Sequence, residues 1–193
     1  MKKTIFIFHG TGGHPQENWY PWLKKKLEEK GHAVFVPHFP TPKGQSLEAW
    51  LKVLEDYKKD IDENSIMIGH SLGGLFLLRV LEKLPLPIKA AFFVAAPIGI
   101  KPILYFEGDR DFSGNFSLDW ENIKRKAQHF EVFHSDNDPY ICLENGQQLA
   151  KNLGAKLTLV PHAGHFNTEA GYLEFKLLLE KLVNTAILGT TNR

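Results

Sequence analysis

Short apolar runs alternate along the chain with longer stretches in which apolar residues recur every three to four positions. TIFIF (4–8), AVFV (33–36), SIMIG (65–69), AAFFV (90–94), FEVF (130–133) and KLTLV (156–160) have the length and the β-branched or aromatic content of strands. Helical periodicity occupies roughly 17–30, 46–59, 72–84, 142–153 and 170–183, with Ser46 placed to cap the second of these ahead of Ala49, Leu51 and Leu54. Strands that are apolar on both faces and separated by helices predict a parallel sheet covered on both sides. In such a sheet a ligand sits at the carboxyl ends of the strands, where the strand order reverses. The stretch from Gly99 to Trp120 has the weakest pattern, punctuated by Gly108, Asp109, Asp111, Gly114 and Asn115, and reads as a loop or a small lid. The closing LGTTNR reads as a fraying tail.

With 193 residues, 43% of them hydrophobic, the chain has enough material for one well-buried core, and we read a single domain over 1–193. Twenty-three Lys and Arg against 22 Asp and Glu leave a formal charge of +1, which gives no general pull toward nucleic acid. Lys24, Lys25 and Lys26 fall within a helix pattern and read as its solvated face. The opening MKKTIFIF imitates a secretory signal, but its apolar stretch ends after five residues, short of the ~7 to 15 of a signal core. No segment approaches the ~20 apolar residues that cross a bilayer, so we expect a soluble protein with no membrane partner. One cysteine, Cys142, has no disulfide partner and no companion at metal spacing, which suits a reducing cytoplasm.

The candidate chemistry centres on IMIGHSLGG (66–74), where Gly69, Ser71 and Gly73 form G-x-S-x-G between a strand pattern and a helix pattern. That is the context of a nucleophile elbow: the serine sits on a strained turn, its neighbours must be nearly free of side chains, and its hydroxyl stands clear of the sheet. Two nucleotide motifs fail at this level. Gly69 to Gly74 has P-loop spacing, but Leu75 and Phe76 replace the required Lys and Ser or Thr, and the first turn, GTGGHP, has Pro15 where G-x-G-x-x-G needs its third glycine.

A serine hydroxyl needs a base held by a carboxylate, and after an elbow the order is Ser, acid, His. Only His162 and His165, in VPHAGHF, follow the last strand. We choose His165, preceded by Gly164 in a strand-end loop, while His162 reads as a capping or packing residue, and the pair lacks a third ligand for a metal. For the acid, SDNDPYI puts Asp136 and Asp138 beyond the fifth strand, and we choose Asp138. Asp before Pro139 also reads as a helix N-cap, a role that calls for a different side-chain direction. Asp109 and Asp111 stand as alternatives. The oxyanion hole is expected from the N–H of Leu72, at the start of a helix, and that of Thr11 in the HGTGG loop.

FIFHGTGG, NWYPWL, IMIGHSLGG, VAAP, SDNDPYI and HAGHFN together resemble the small, capless α/β-hydrolases that include retinoblastoma-binding protein nine and its bacterial relatives. The resemblance runs through nearly the whole chain. It implies a three-layer fold with a mostly parallel six-stranded sheet in the order 2-1-3-4-5-6, without the two opening hairpin strands of larger hydrolases, and with Ser71 at the reversal. It implies Ser71, Asp138 and His165 as a triad, and Trp19, Tyr20 and Trp22 as walls of the pocket mouth, with core packing as the plain alternative for those aromatics. The activity expected is that of a serine hydrolase, a carboxylesterase acting on a small-molecule ester or acyl substrate without a cofactor or metal. The same triad serves a thioesterase, acyltransferase or peptidase. A reading of another class, a protein-binding module with an idle triad, comes from the family's association with protein partners.

Overall fold

The computed structural model describes residues 2–100, 109–114 and 117–184. Six strands form one sheet: β1 (Thr4–Phe8), β2 (Ala33–Phe35), β3 (Ile66–His70), β4 (Ala90–Val94), β5 (Phe130–Ser135) and β6 (Lys156–Val160). Every pairing is parallel and the order is β2-β1-β3-β4-β5-β6, so the direction of winding reverses between β1 and β3. Around the sheet lie α1 (Tyr20–Glu28), α2 (Leu47–Glu55), α3 (Leu72–Lys83), α4 (Arg110–Ser113), α5 (Trp120–Lys124), α6 (Leu143–Leu153) and α7 (Lys176–Asn184).

Although the central strands are apolar throughout, alternation still sorts their side chains. Phe6, Phe8, Met67, Phe93 and Val132 join Trp50 of α2, Phe76 of α3 and Leu149 of α6 in one core. Ile5, Ile7, Ile66, Ile68, Phe92 and Phe133 face the other way and pack on Leu23 of α1 and Leu178 of α7. β6 departs from the expected pattern: as an edge strand it keeps Lys156 exposed and leaves Leu159 46% exposed.

The helices are shorter than periodicity predicted, for local reasons. α1 begins only at Tyr20 because Asn18 takes the left-handed φ of 51°, and Pro21 follows within the first turn, where its missing N–H costs nothing. Ser46 caps α2 as expected, its hydroxyl accepting from Ala49 N at 3.0 Å, but the helix stops at Glu55 and gives way to a single 3-10 turn. The last pattern splits at Gly171, whose φ is 83°, so α7 starts at Lys176. Within the weak stretch, Phe112 of α4 is fully buried, and the α4 end is tied to α3 by Arg79, which donates to the carbonyls of Phe112 (3.0 Å), Ser113 (2.5 Å) and Ser117 (3.0 Å). The lid expected over 99–120 otherwise falls on 101–108 and 115–116, and the expected tail on 188–193, outside the described residues. Among the described residues no helix is long and apolar enough to cross a membrane.

Candidate active site

β3 delivers Ser71 onto the turn into α3 with φ 55° and ψ −127°, a conformation that an L-residue holds only under constraint. Two backbone bonds supply it, from Ser71 N to Val94 O (2.9 Å) and from Gly74 N to Ser71 O (2.8 Å). The flanking glycines are sterically required. A Cβ on Gly69 would stand 2.5 Å from the Gly73 carbonyl oxygen, and one on Gly73 would run into the carbonyl oxygen of Phe8. Gly10, in the loop after β1, brings its backbone so close that an added Cβ would lie 2.8 Å from Ser71 Cβ. Leu72 is the first residue of α3, so its N–H has no partner in the helical ladder and the positive end of the helix dipole faces the turn.

His165 lies in the loop after β6. Its Nδ1 is 2.8 Å from Asp138 Oδ2, with the carboxylate side chain fully buried and the imidazole 10% exposed. The other carboxylate oxygen, Oδ1, accepts from Tyr140 N (2.9 Å) and Ile141 N (3.0 Å). Burial opposes the charge on Asp138, yet the hydrogen bond and proximity of His165 and these two N–H groups outweigh it and hold the carboxyl below its ordinary 3.8. The loop after β5 grips the histidine loop residue by residue. Ser135 Oγ accepts from Ala163 N (3.0 Å), Asp136 Oδ1 from His162 N (2.8 Å) and Asn137 Oδ1 from Gly164 N (2.8 Å). Ser71, His165, Thr11 and Leu72 all line one cleft of about 360 Å³.

A family model described as serine hydrolase matches residues 5–184. The chain belongs to the serine hydrolase family. This serine hydrolase is 29% identical to the ydeN gene product of Bacillus subtilis, over 95% of its own length and 96% of the relative's. The crystal structure of that protein superposes with a TM-score of 0.83, covering 94% of this chain and 97% of the other. Serine hydrolase RBBP9 of Rattus norvegicus is 33% identical over 87% of this chain and 89% of its own. Methylesterase 1 of Arabidopsis thaliana is 30% identical over 70% of this chain and 54% of its own. The α/β-hydrolase fold and the expected strand order both hold.

Two further histidines flank the elbow of this serine hydrolase, and composition alone gave no reason to choose them. His9 is fully buried: its Nδ1 bonds the Gly10 carbonyl (2.9 Å) and its Nε2 accepts from Phe39 N (3.1 Å), so the proton sits on Nδ1. His70, 3% exposed, lies between Tyr20 Oη and the His165 carbonyl. Its position was readable, because it shares the alternation of Ile66 and Ile68 and had to point into the core.

Burial drives the His9 pKa from 6.5 down to about 4 and that of His70 down to about 3. Both rings stay neutral in the fold while the unfolded chain takes up protons, so stability is full above pH 6.5 and falls as pH drops toward those values. Each ring accounts for up to about 1.4 kcal/mol per pH unit. Thermal melts from pH 7 to pH 4.5 should show a steep fall in Tm, and a flat profile over that interval would refute the neutral buried pair.

The expected pocket aromatics separate. Tyr20 lines the cleft, whereas Trp19 is fully buried in the core, its indole N–H donating to the Phe166 carbonyl (3.0 Å), and Trp22 packs against the same core. Their spacing at the start of α1 turns the three rings in different directions. Of the alternative acids, Asp109 reaches the cleft but bonds Thr11 Oγ1 (2.5 Å) and Gln45 Nε2 (2.7 Å), and Asp111 caps α2 through Leu47 N (2.5 Å). Asp136 sits at 3.9 Å from the ring of His162, which is 84% exposed. The N-cap reading of Asp138 does not hold as stated. α6 begins at Leu143 with Cys142 before it, and Asp138 serves backbone and histidine at once through its two oxygens. Among the described residues no group of three His, Cys, Asp or Glu side chains is arranged to hold a metal ion.

Proposed function

We propose that this serine hydrolase cleaves carboxylic esters of small molecules, with Ser71 as nucleophile, His165 as general base and acid, and Asp138 as the carboxylate that orients and supports the imidazole. The observation that carries the reading is a serine on a strained strand-to-helix turn that opens on the same cleft as a histidine whose far nitrogen is held by a buried aspartate. Ser71 Oγ attacks the ester carbonyl carbon as His165 Nε2 takes its proton. The N–H groups of Leu72 and Thr11 accommodate the oxyanion. Collapse expels the alcohol, which leaves with the proton from the imidazolium. Water then attacks the acyl-enzyme while His165 takes its proton and returns it to Ser71, releasing a carboxylic acid; Asp138 stays ionised throughout. The chemistry draws on protein groups alone. Likeness to a methylesterase favours an ester as the scissile bond. A single cysteine, unpaired in the fold, fits a reducing compartment, and we place the protein in the cytoplasm.

Incubation with a fluorophosphonate followed by peptide mass spectrometry is expected to find one covalent adduct, on Ser71. Folded protein that stays unmodified, or an adduct elsewhere, would reject the assignment.

A further inference from the structure

We propose that His70, with Tyr20 behind it, is a positioning residue for His165, clamping the main chain of the loop whose ring Asp138 holds. The inference rests on the reading of His165 as the base.

The hydrogen-bond directions leave one arrangement. His70 Nε2 lies 2.7 Å from the His165 carbonyl oxygen, which can only accept, so Nε2 carries the proton. Nδ1 is then an acceptor, and the Tyr20 hydroxyl 2.6 Å away must donate to it. Asn18 Nδ2 donates in turn to Tyr20 Oη at 3.3 Å, completing a chain that runs from Asn18 through Tyr20 and His70 to the His165 carbonyl. Tyr20 is fully buried and His70 nearly so, and the tautomer is set by the His165 carbonyl, with the tyrosine proton satisfying the nitrogen left as acceptor. Neutrality of the His70 ring over the working pH range is consistent with this.

The loop needs a clamp. Gly164 and Phe166, on either side of His165, have φ of 55° and 52°, so the base sits between two left-handed residues, one of them a phenylalanine. Side chains from outside the loop hold two successive carbonyls, His70 on that of His165 and Trp19 on that of Phe166. His70 is also the residue before Ser71. One peptide unit and one hydrogen bond therefore link nucleophile to base, and a shift in either loop is passed to the other. Asp138 sets the rotation of the imidazole; His70 sets where its Cα stands.

The test compares Tyr20→Phe, His70→Leu and His70→Gln with the parent on one ester, with thermal melts alongside. A misplacement of order 1 Å costs about 10²-fold in rate, so His70→Leu should lose roughly 100-fold in kcat and Tyr20→Phe roughly tenfold, with KM within about threefold. His70→Gln offers an amide N–H in place of Nε2 and should recover to within about fivefold of the parent. ¹⁵N NMR of the parent, which needs no variant to fold, should report the Nε2–H tautomer for His70. An Nδ1–H tautomer, unchanged kcat in both Tyr20→Phe and His70→Leu, or equal losses in His70→Gln and His70→Leu would each overturn the clamp. If the parent neither turns over esters nor labels at Ser71, the esterase reading fails instead, and the tautomer measurement still decides the hydrogen-bond chain.

Discussion

Replacement of Ser71 by alanine is expected to lower kcat/KM for p-nitrophenyl acetate by a factor on the order of 10⁴ to 10⁶, with little change in folding stability. The size follows from the way triad members act as a unit: without the nucleophile, the imidazole and the oxyanion donors have no covalent step to serve, and only a residual acceleration from binding and polarisation remains. Stability should hold because alanine keeps the Cβ and loses only the hydroxyl. The elbow itself is held by backbone bonds through Val94 and Gly74, not by the Ser71 side chain. Rates of acetate release by purified parent and variant, compared with their melts, decide the matter. A Ser71→Ala protein retaining more than about a tenth of parental turnover would end the case for this nucleophile.

Asp138→Asn is expected to reduce kcat about 10⁴-fold while leaving the fold in place, a magnitude taken from the corresponding change in an unrelated triad protease. Here the geometry supplies the cause. The side-chain oxygen that accepts from Tyr140 N and Ile141 N must remain an oxygen, since both partners are donors. Asparagine is thereby forced to turn its NH₂ toward His165 Nδ1, where the carboxylate accepted at 2.8 Å. Nδ1 becomes an acceptor, the proton moves to Nε2, and the nitrogen facing the cleft can no longer take a proton from serine. Pre-steady-state kinetics should place the loss in acylation, with KM nearly unchanged. A loss of less than about tenfold would mean that the tautomer of His165 is not controlled by Asp138. Asp138→Ala is the less informative variant, because it strands two backbone donors and confounds rate with stability.

How far the chain could be read in advance depended on the range of the interaction involved. All six strands fell where apolar runs of four to five residues occur, and the elbow was legible because its glycines answer to contacts within a few residues or with the adjacent strand. Helix ends were less legible: Asn18 and Gly171 cut two patterns short by taking left-handed backbone that periodicity does not register. α4 escaped notice because its one large apolar residue, Phe112, sits in a polar stretch and is fastened by Arg79 of α3.

At the site itself, the order Ser, Asp, His along the chain led to the choice of Ser71, Asp138 and His165 with Asp136, Asp109 and Asp111 still open, and it did not distinguish Asp138's two oxygens or show that SDND acts as a four-residue grip on the histidine loop. Trp19, Tyr20 and Trp22 are alike in composition and close in sequence, yet one bonds a carbonyl in the core, one meets the cleft and one packs, partly buried, against the core. Local propensity and hydrophobic period thus determined the parallel sheet, its covering helices and the strained serine, because each of these is decided by steric and burial terms among near neighbours. The tertiary structure alone decided which carboxylate meets which imidazole, and that His70 bonds a carbonyl 95 residues away. Those pairings depend on where loops from separate strands converge at the sheet's carboxyl edge, a distance that no period along the chain encodes.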